Sequence, residues 1–241
     1  TWPYRIKNLE TEICQGKSLQ YLTIKPRFYN PEKSYPLVIL LHGFGSNMSD
    51  LAGLCPLLNT QSYVYICPNA PLHIELAPGM EGYAWFPMGN ELTHDSFSNG
   101  LDKLTIFMKE ICDKYGIQSD KIILGGFSQG GMMTYHYGLS NPDTIRGIAA
   151  LSSKIPCTES LEPLLPENRT QKIFISHGIR DIVIPVNYGR DARQFLEDAG
   201  YQPIYKEYDM HHEISDKTIG DLLEWCEDVI PPNELSTEEK C

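Results

Sequence analysis

Short apolar runs recur along the chain and predict the strands of a sheet. They occupy residues 37–41, 63–67, 121–125, 145–152, 172–177 and 203–210. Runs of this kind, with little polar alternation, are typical of strands buried on both faces of a parallel sheet. The segment 18–28 alternates more between apolar and polar residues, which favours an antiparallel strand at the edge of the sheet.

Helical patterns separate the later strands, over about 98–115, 131–137 and 214–228. Strands that alternate with helices predict an α/β fold, with a mainly parallel central sheet and helices on both faces. No internal repeat or linker divides the chain, and 241 residues suit one such domain. We therefore expect a single domain over residues 1–241, with a flexible polar tail at about 231–241.

The segment 72–97 stands between the third strand and the first long helix, and it carries Gly and Pro with little periodicity. Long connections inside compact domains are usually functional lids or disordered segments. Its apolar side chains are Leu76, Met80, Tyr83, Trp85, Phe86 and Met88. They predict a packed flap that forms part of a pocket, in place of a large cap domain.

Composition narrows the class of protein. A hydrophobic content of 41% and a charged content of 21% are globular values. The formal net charge of −11 argues against nucleic acid or an anionic membrane surface as a partner. No run of 18 apolar residues occurs, so we expect no stable membrane insertion. For the oligomeric state, the sequence is compatible with a monomer and with a homodimer.

The seven cysteines are scattered, and no two have Cys-x-x-Cys spacing. This pattern argues against a zinc site or a thioredoxin-like motif, so we expect neither a metal nor a cofactor. Unpaired cysteines and the absence of a visible secretory signal at residues 1–4 favour a cytoplasmic location.

The sequence Gly126-Phe127-Ser128-Gln129-Gly130 joins an apolar strand to a helix. Gly-x-Ser-x-Gly in this context is the nucleophile elbow of α/β-hydrolases, in which a sharp turn exposes a strained serine. Glycines are needed there because side chains would collide across the turn. Ser128 is therefore the candidate nucleophile, and a plain Gly-rich turn is the alternative.

A catalytic serine needs a base, and the base needs an orienting acid, in the chain order Ser, Asp or Glu, His. Asp181 follows the strand that breaks at Gly178, and His211-His212 follow the next strand. Catalytic groups of open α/β sheets collect at the carboxyl ends of strands. Asp181 is thus the candidate acid. Either His211 or His212 suits the base, and we interpret His177, which lies within its strand, as structural.

Two backbone N–H groups should form the oxyanion hole. One belongs to Gln129, the residue after the nucleophile. The other should lie in the His42-Gly43-Phe44-Gly45 loop, where Phe44 is the candidate donor. An ordinary Gly-rich connector is the alternative interpretation of this loop.

Four blocks together resemble one known family. They are 41–45, 126–131, 177–185 and 212–214. The resemblance is to the carboxylesterase/phospholipase family of α/β-hydrolases, which includes the acyl-protein thioesterases and small bacterial carboxylesterases. It implies the α/β-hydrolase fold and oxyanion donors at Phe44 and Gln129. It also implies that His212 is the base, with His211 where the family commonly has glycine.

Ala70-Pro71 and Tyr83-Ala84-Trp85-Phe86 are similar to a family segment near the active site. This resemblance implies that Trp85 lines the acyl or alcohol pocket, while a purely core position for Trp85 is the alternative.

The function expected from these residues is two-step acyl transfer by a serine carboxylesterase, with a small-molecule ester of short to medium chain length as substrate. A thioesterase acting on acylated proteins, a lysophospholipase or a peptidase could use the same scaffold. A non-enzymatic binding protein with a hydrolase fold is a further alternative, which the intact candidate triad disfavours.

Overall fold

The computed structural model describes residues 9–89, 94–117 and 120–232. The strands in these ranges are β1 (Thr11–Gln15), β2 (Gln20–Ile24), β3 (Leu37–Leu41), β4 (Val64–Pro68), β5 (Leu72–Ala77), β6 (Met80–Ala84), β7 (Ile122–Phe127), β8 (Gly147–Leu151), β9 (Lys172–Gly178) and β10 (Ile204–Tyr208). The α-helices are α1 (Met48–Ala52), α2 (His94–Tyr115), α3 (Gln129–Ser140), α4 (Thr158–Leu161), α5 (Asn187–Asp198) and α6 (Asp216–Val229). Short 3₁₀ helices occupy Cys55–Leu57 and Glu162–Leu164.

Eight strands form the central sheet in the order β1-β2-β4-β3-β7-β8-β9-β10. In this order, each neighbouring pair from β4-β3 through to β9-β10 is parallel. β2 pairs antiparallel with both β1 and β4. The prediction of a mainly parallel α/β sheet is confirmed. The carboxyl ends of β3, β7, β8, β9 and β10 therefore lie along one edge of the sheet.

Two apolar clusters cover the two faces of the sheet. Residues 37, 39 and 41 of β3 belong to one cluster, and residues 38 and 40 belong to the other. This alternation follows from the two-residue period of a strand. Helices α2, α3 and α5 pack on the first face, and α1 and α6 pack on the second. Burial on both faces explains why β3 is apolar at every position.

The sequence prediction for the sheet edge was wrong in one respect. The segment 18–28 does contain an antiparallel strand, β2, but β1 lies outside it and forms the edge. β1 is mostly exposed, and even Ile13 keeps 64% of its surface. An exposed edge strand needs no apolar pattern, so its sequence carried no strand signal.

The flap, residues 72–97, is more regular than its sequence suggested. β5 and β6 form an antiparallel hairpin joined by Pro78-Gly79, where Gly79 has a φ of 76°. Glycine adopts this left-handed conformation without the steric cost that other residues meet. The last residues of the predicted flap begin helix α2 at His94, and residues 90–93 lie outside the described residues.

The start of the last helix differs from the predicted boundary. The last helix begins at Asp216, because the Ser215 side chain accepts a hydrogen bond from Thr218 N–H and caps it. Most of the predicted flexible tail, residues 233–241, lies outside the described residues, and the single-domain organisation stays a prediction. Within the described ranges, no helix is both long and apolar enough to cross a membrane.

Candidate active site

Ser128 occupies a sharp turn between β7 and α3. Its φ of 53° and ψ of −117° are unusual for a residue with a side chain, and such conformations cost of order 1–3 kcal/mol. A Cβ atom on Gly130 would overlap the backbone of Leu41, and one on Gly126 would overlap Gly130. The turn is fixed further by Ser153, whose Oγ donates to Ser128 O at 2.7 Å.

The structure brings Ser128, His212 and Asp181 together. The Nε2 atom of His212 lies 2.9 Å from Ser128 Oγ, and its Nδ1 atom lies 2.7 Å from Asp181 Oδ2. An ionised carboxylate only accepts hydrogen bonds, so Nδ1 carries a proton and Nε2 is left to accept from the hydroxyl. This is the tautomer that a general base for serine requires.

Asp181 is held in place by the loop that follows β9. Its Oδ1 atom accepts hydrogen bonds from the N–H groups of Val183 and Ile184, both at 2.9 Å. The carboxylate is buried. Two donors on one oxygen leave the other oxygen aimed at His212, so the imidazole ring has a fixed orientation.

The other two histidines considered from sequence do not contact Ser128. His177 is fully buried and donates from Nε2 to Ile184 O at 2.7 Å, which stabilises the loop carrying Asp181. Burial lowers its pKa, so the ring stays neutral. His211 is exposed, with its Nδ1 3.1 Å from Arg180 O. Of the two adjacent histidines, His212 is therefore the one within hydrogen-bond distance of Ser128 Oγ.

Phe44 and Gln129 lie on opposite sides of the turn and line the same cavity as Ser128. Within residues 9–89, 94–117 and 120–232, neither backbone N–H donates a hydrogen bond to the protein. The loop that carries Phe44 is held by His42, whose Nδ1 donates to Gly43 O at 2.7 Å and whose Nε2 accepts from Ala70 N–H at 3.0 Å. Burial lowers the pKa of His42, which preserves this neutral donor–acceptor pattern.

The side chain of Gln129 joins the turn to the flap. Its Oε1 accepts from Trp85 N–H and its Nε2 donates to Phe86 O, both at 2.8 Å. The flap also pairs with the loop after β3, because Gly45 N–H donates to Tyr83 O and Tyr83 N–H donates to Ser46 O. These links were not predicted, since nothing in the sequence relates residue 129 to residues 85 and 86.

Trp85 does not line the cavity, which corrects the expectation drawn from the family resemblance. Its side chain is fully buried, and Nε1 donates to His42 O at 3.0 Å behind the oxyanion loop. The indole N–H needs an acceptor when it is buried, and that carbonyl lies on the core side of the loop. The neighbouring Phe86 and Met88 form the cavity wall instead.

The cavity at Ser128 has a volume of about 420 Å³. Besides Phe44, Ser128, Gln129 and His212, it is lined by Gly43, Ser46, Asp50, Phe86, Met88, Gly89, Phe127, Met132, Lys154, Pro156, Val183 and Ile184. A second cavity of about 310 Å³ shares Asp50, Phe127 and His212 with the first. Met132 and Lys154 were not predicted as lining residues. Met132 lies in the first turn of α3, where its apolar side chain suits the core equally well, and Lys154 reaches the cavity only through the folded loop after β8.

No cluster of His, Cys, Asp and Glu suited to a metal ion occurs in the part of the chain that the structure describes. The expectation that neither a metal nor a cofactor takes part stays a prediction.

A mainly parallel sheet, a serine at a strained strand-to-helix turn and a bonded His–Asp pair from later strand ends define an α/β-hydrolase. The model of the phospholipase/carboxylesterase family matches residues 29–230, and this chain belongs to that family.

Relatives and solved structures agree with the family. Acyl-protein thioesterase 1 of Mycosarcoma maydis is 31% identical over 238 residues, which is 88% of this chain and 98% of that protein. Acyl-protein thioesterase 1 of Saccharomyces cerevisiae is 31% identical over 205 residues, covering 78% of this chain and 88% of that protein. The crystal structure of esterase PE8 superposes with a TM-score of 0.74 and 26% identity, covering 86% and 97% of the two chains.

These findings confirm the predicted fold class and the predicted family. The chain is a serine hydrolase with an esterase or thioesterase activity on an α/β-hydrolase scaffold.

Proposed function

We propose that Ser128, His212 and Asp181 form the catalytic triad of a carboxylesterase that uses acyl transfer. The observation that carries the proposal is the hydrogen-bonded chain from Asp181 through His212 to Ser128 Oγ, with bonds of 2.7 and 2.9 Å. This chain ends in the cavity at Ser128, which Phe44 and Gln129 also line, and the backbone N–H groups of these two residues have no partner in the described ranges.

The steps follow from the positions of these groups. His212 Nε2 takes the proton as Ser128 Oγ attacks the carbonyl carbon, and Asp181 stabilises the imidazolium. The N–H groups of Phe44 and Gln129 bind the oxygen as it becomes negative. His212 then protonates the departing alcohol or thiol and later deprotonates the water that releases the acyl group. Each such oxyanion donor typically contributes about 2.7–4 kcal/mol to catalysis.

We propose carboxylic esters with short to medium acyl chains as the substrates. A volume of about 420 Å³ lies within the usual range of small-molecule pockets. The apolar side chains of Phe86, Met88 and Met132 suit an acyl chain. The corresponding small-molecule partner, and the expected lack of nucleic acid or membrane insertion, stay predictions.

A thioesterase acting on acylated proteins is the second candidate. It is favoured by the two relatives named acyl-protein thioesterase 1, one of which aligns over 98% of its length. The triad itself does not separate the two, because esters and thioesters undergo the same addition at the carbonyl carbon. A lysophospholipase is a third use of the same site.

Labelling with a fluorophosphonate probe tests the nucleophile. We expect the native chain to be labelled and Ser128→Ala to be unlabelled and inactive. Ser140→Ala, at the other end of the same helix, is the matched control and should keep both labelling and activity. Equal labelling of the native chain and Ser128→Ala would contradict the assignment.

An acyl-chain profile tests the substrate class. Nitrophenyl esters and acyl thioesters with chains of two to sixteen carbons should be compared by kcat/KM. A maximum for esters at short to medium length is expected, while a maximum for long-chain thioesters would favour the second candidate.

A further inference from the structure

Lys154 is the basic side chain that lines the cavity at Ser128, in a chain whose formal net charge is −11. The other charged lining residue apart from the triad is Asp50, which accepts a hydrogen bond from Ser46 at 2.8 Å. Lys154 is only partly exposed and has no ion pair with a carboxylate in the described ranges. Its ammonium lies 4.8 Å from the ring centroid of Tyr188.

The position of Lys154 follows from the order of the strands. Lys154 stands in the loop after β8, three residues beyond Leu151, and the neighbouring Ser153 is bonded to the backbone of Ser128. In the sheet, β7 lies between β3 and β8. Phe44 therefore approaches Ser128 from the β3 side, and Lys154 approaches it from the β8 side.

This arrangement puts Lys154 on the side of Ser128 opposite the proposed oxygen-binding Phe44. The donor of Phe44 draws the carbonyl oxygen towards β3. The other substituents of the carbonyl carbon then extend away from β3, and Lys154, Met132 and Pro156 line the same cavity. A cation next to apolar side chains favours a chain that carries a negative charge beyond an apolar segment.

We infer that Lys154 is a specificity-determining residue that binds an anionic group, a carboxylate or a phosphate, carried by the substrate. This inference rests on the proposed function and adds a substrate feature to it. A lysine whose ammonium only points to solvent, with its stem covering apolar surface, is the competing interpretation. The aromatic face of Tyr188 supports the inference, because it holds the ammonium in place without neutralising its charge.

The test compares one charged and one neutral ester of similar length, the 4-nitrophenyl monoester of adipic acid and 4-nitrophenyl heptanoate. Lys154→Met should lower the ratio of kcat/KM for adipate over heptanoate about tenfold, mainly through KM, which corresponds to about 1.4 kcal/mol. Lys154→Arg should retain most of this ratio. Added salt should weaken the preference of the native enzyme for adipate.

Lys217→Met is the matched control. Lys217 is exposed, lies over the Tyr208 ring at 6.0 Å, and does not line the cavity at Ser128. This variant makes the same change in net charge and should leave the ratio unchanged.

A third ester, 4-carboxyphenyl heptanoate, carries the negative charge on the leaving group. A selective loss of kcat/KM for this ester in Lys154→Met would support an anion site on the leaving-group side, and a selective loss for adipate would support one on the acyl side. Equal losses for all three esters would overturn the inference while leaving the triad intact. Failure of the fluorophosphonate probe to label Ser128 would instead contradict the proposed function.

Discussion

The side chain of Gln129 accepts a hydrogen bond from the backbone N–H of Trp85 at 2.8 Å, which ties the nucleophile turn to the flap. Its other end donates to Phe86 O, and the side chain is nearly fully buried. One residue therefore combines two features: its backbone N–H is a proposed oxyanion donor, and its amide group is bonded to the flap that forms part of the cavity wall.

Gln129→Ala should lower activity by loosening the flap. The substitution leaves Trp85 N–H and Phe86 O buried without partners, at about 1–3 kcal/mol for each group. We expect the free energy of unfolding to fall by about 2–4 kcal/mol and kcat to fall roughly 10- to 100-fold at temperatures where the variant is folded. Urea unfolding and ester hydrolysis measure the two effects.

Gln171→Ala is the control for this experiment. Gln171 is also buried and donates to two carbonyl groups, Gly138 O at 2.7 Å and Ile145 O at 2.9 Å, away from the cavity at Ser128. It should lose stability with little change in kcat. If both variants lost kcat equally, the amide of Gln129 would have no role beyond stability.

Asp181→Asn should remove most of the activity without unfolding the protein. The amide oxygen can still accept from Val183 and Ile184, but the NH₂ group then faces His212 Nδ1 and favours the wrong tautomer of the imidazole. The expected decrease in kcat is about 10⁴-fold, measured with a nitrophenyl ester. Ile182→Ala, at a neighbouring side chain that is 87% exposed, should retain activity. A loss of less than tenfold in Asp181→Asn would contradict the role of the acid.

Gly130→Ala and Gly220→Ala should have opposite effects on the free energy of unfolding. A Cβ atom at residue 130 would overlap Leu41 O, whereas one at residue 220 in α6 meets no atom within 4 Å. Gly130→Ala should lower the free energy of unfolding by at least about 3 kcal/mol. Gly220→Ala should raise it by about 0.5–1 kcal/mol, because alanine favours a helix. Chemical unfolding measures the free energy of unfolding of both variants. A value for Gly130→Ala equal to that of the native chain would show that the turn can relax.

Stability should decrease in mild acid because of His42 and His177. Burial lowers the pKa of both side chains in the folded protein, while the unfolded chain takes up protons near the ordinary value of about 6.5. The unfolded state therefore binds more protons as the pH falls below about 6.5. Each histidine then contributes a loss of up to about 1.4 kcal/mol per pH unit.

Urea unfolding at pH 7, 6 and 5 measures this dependence. His42→Gln should be less stable than the native chain at pH 7 but should show a shallower decrease towards pH 5. The same slope in both proteins would indicate that His42 does not titrate between the two states.

The sequence predicts the sheet and the closeness of the three proposed triad residues because each depends on a local signal. Ser128, Asp181 and His212 stand immediately beyond apolar runs, and parallel strands bring their carboxyl ends to one edge. Trp85 was misplaced for a physical reason. A buried indole must find an acceptor, and the acceptor at His42 O exists only after the loop has folded.

The other differences between the sequence prediction and the structure concern β1, the hairpin of the flap and the cavity wall. β1 carries no apolar pattern because one partner strand and solvent surround it, so its pairing with β2 is visible only in the structure. The hairpin of the flap had a local signal in Pro78-Gly79, a common turn pair, but its strands are mostly exposed and lack clear alternation. The cavity wall at Lys154 and Met132 joins the loop after β8 to the first turn of α3, and this contact has no pattern in sequence.

The hairpin β5–β6 is constrained at its base and open at its tip. Its bonds to the rest of the site involve residues 83, 85 and 86, whereas a Cβ atom at Gly79 would meet nothing within 4 Å. Chain length at residues 78–79 is therefore free to vary, so insertions among related enzymes should concentrate there. A peptide tag inserted between Pro78 and Gly79 would project from the tip of the hairpin while the reacting groups keep their spacing.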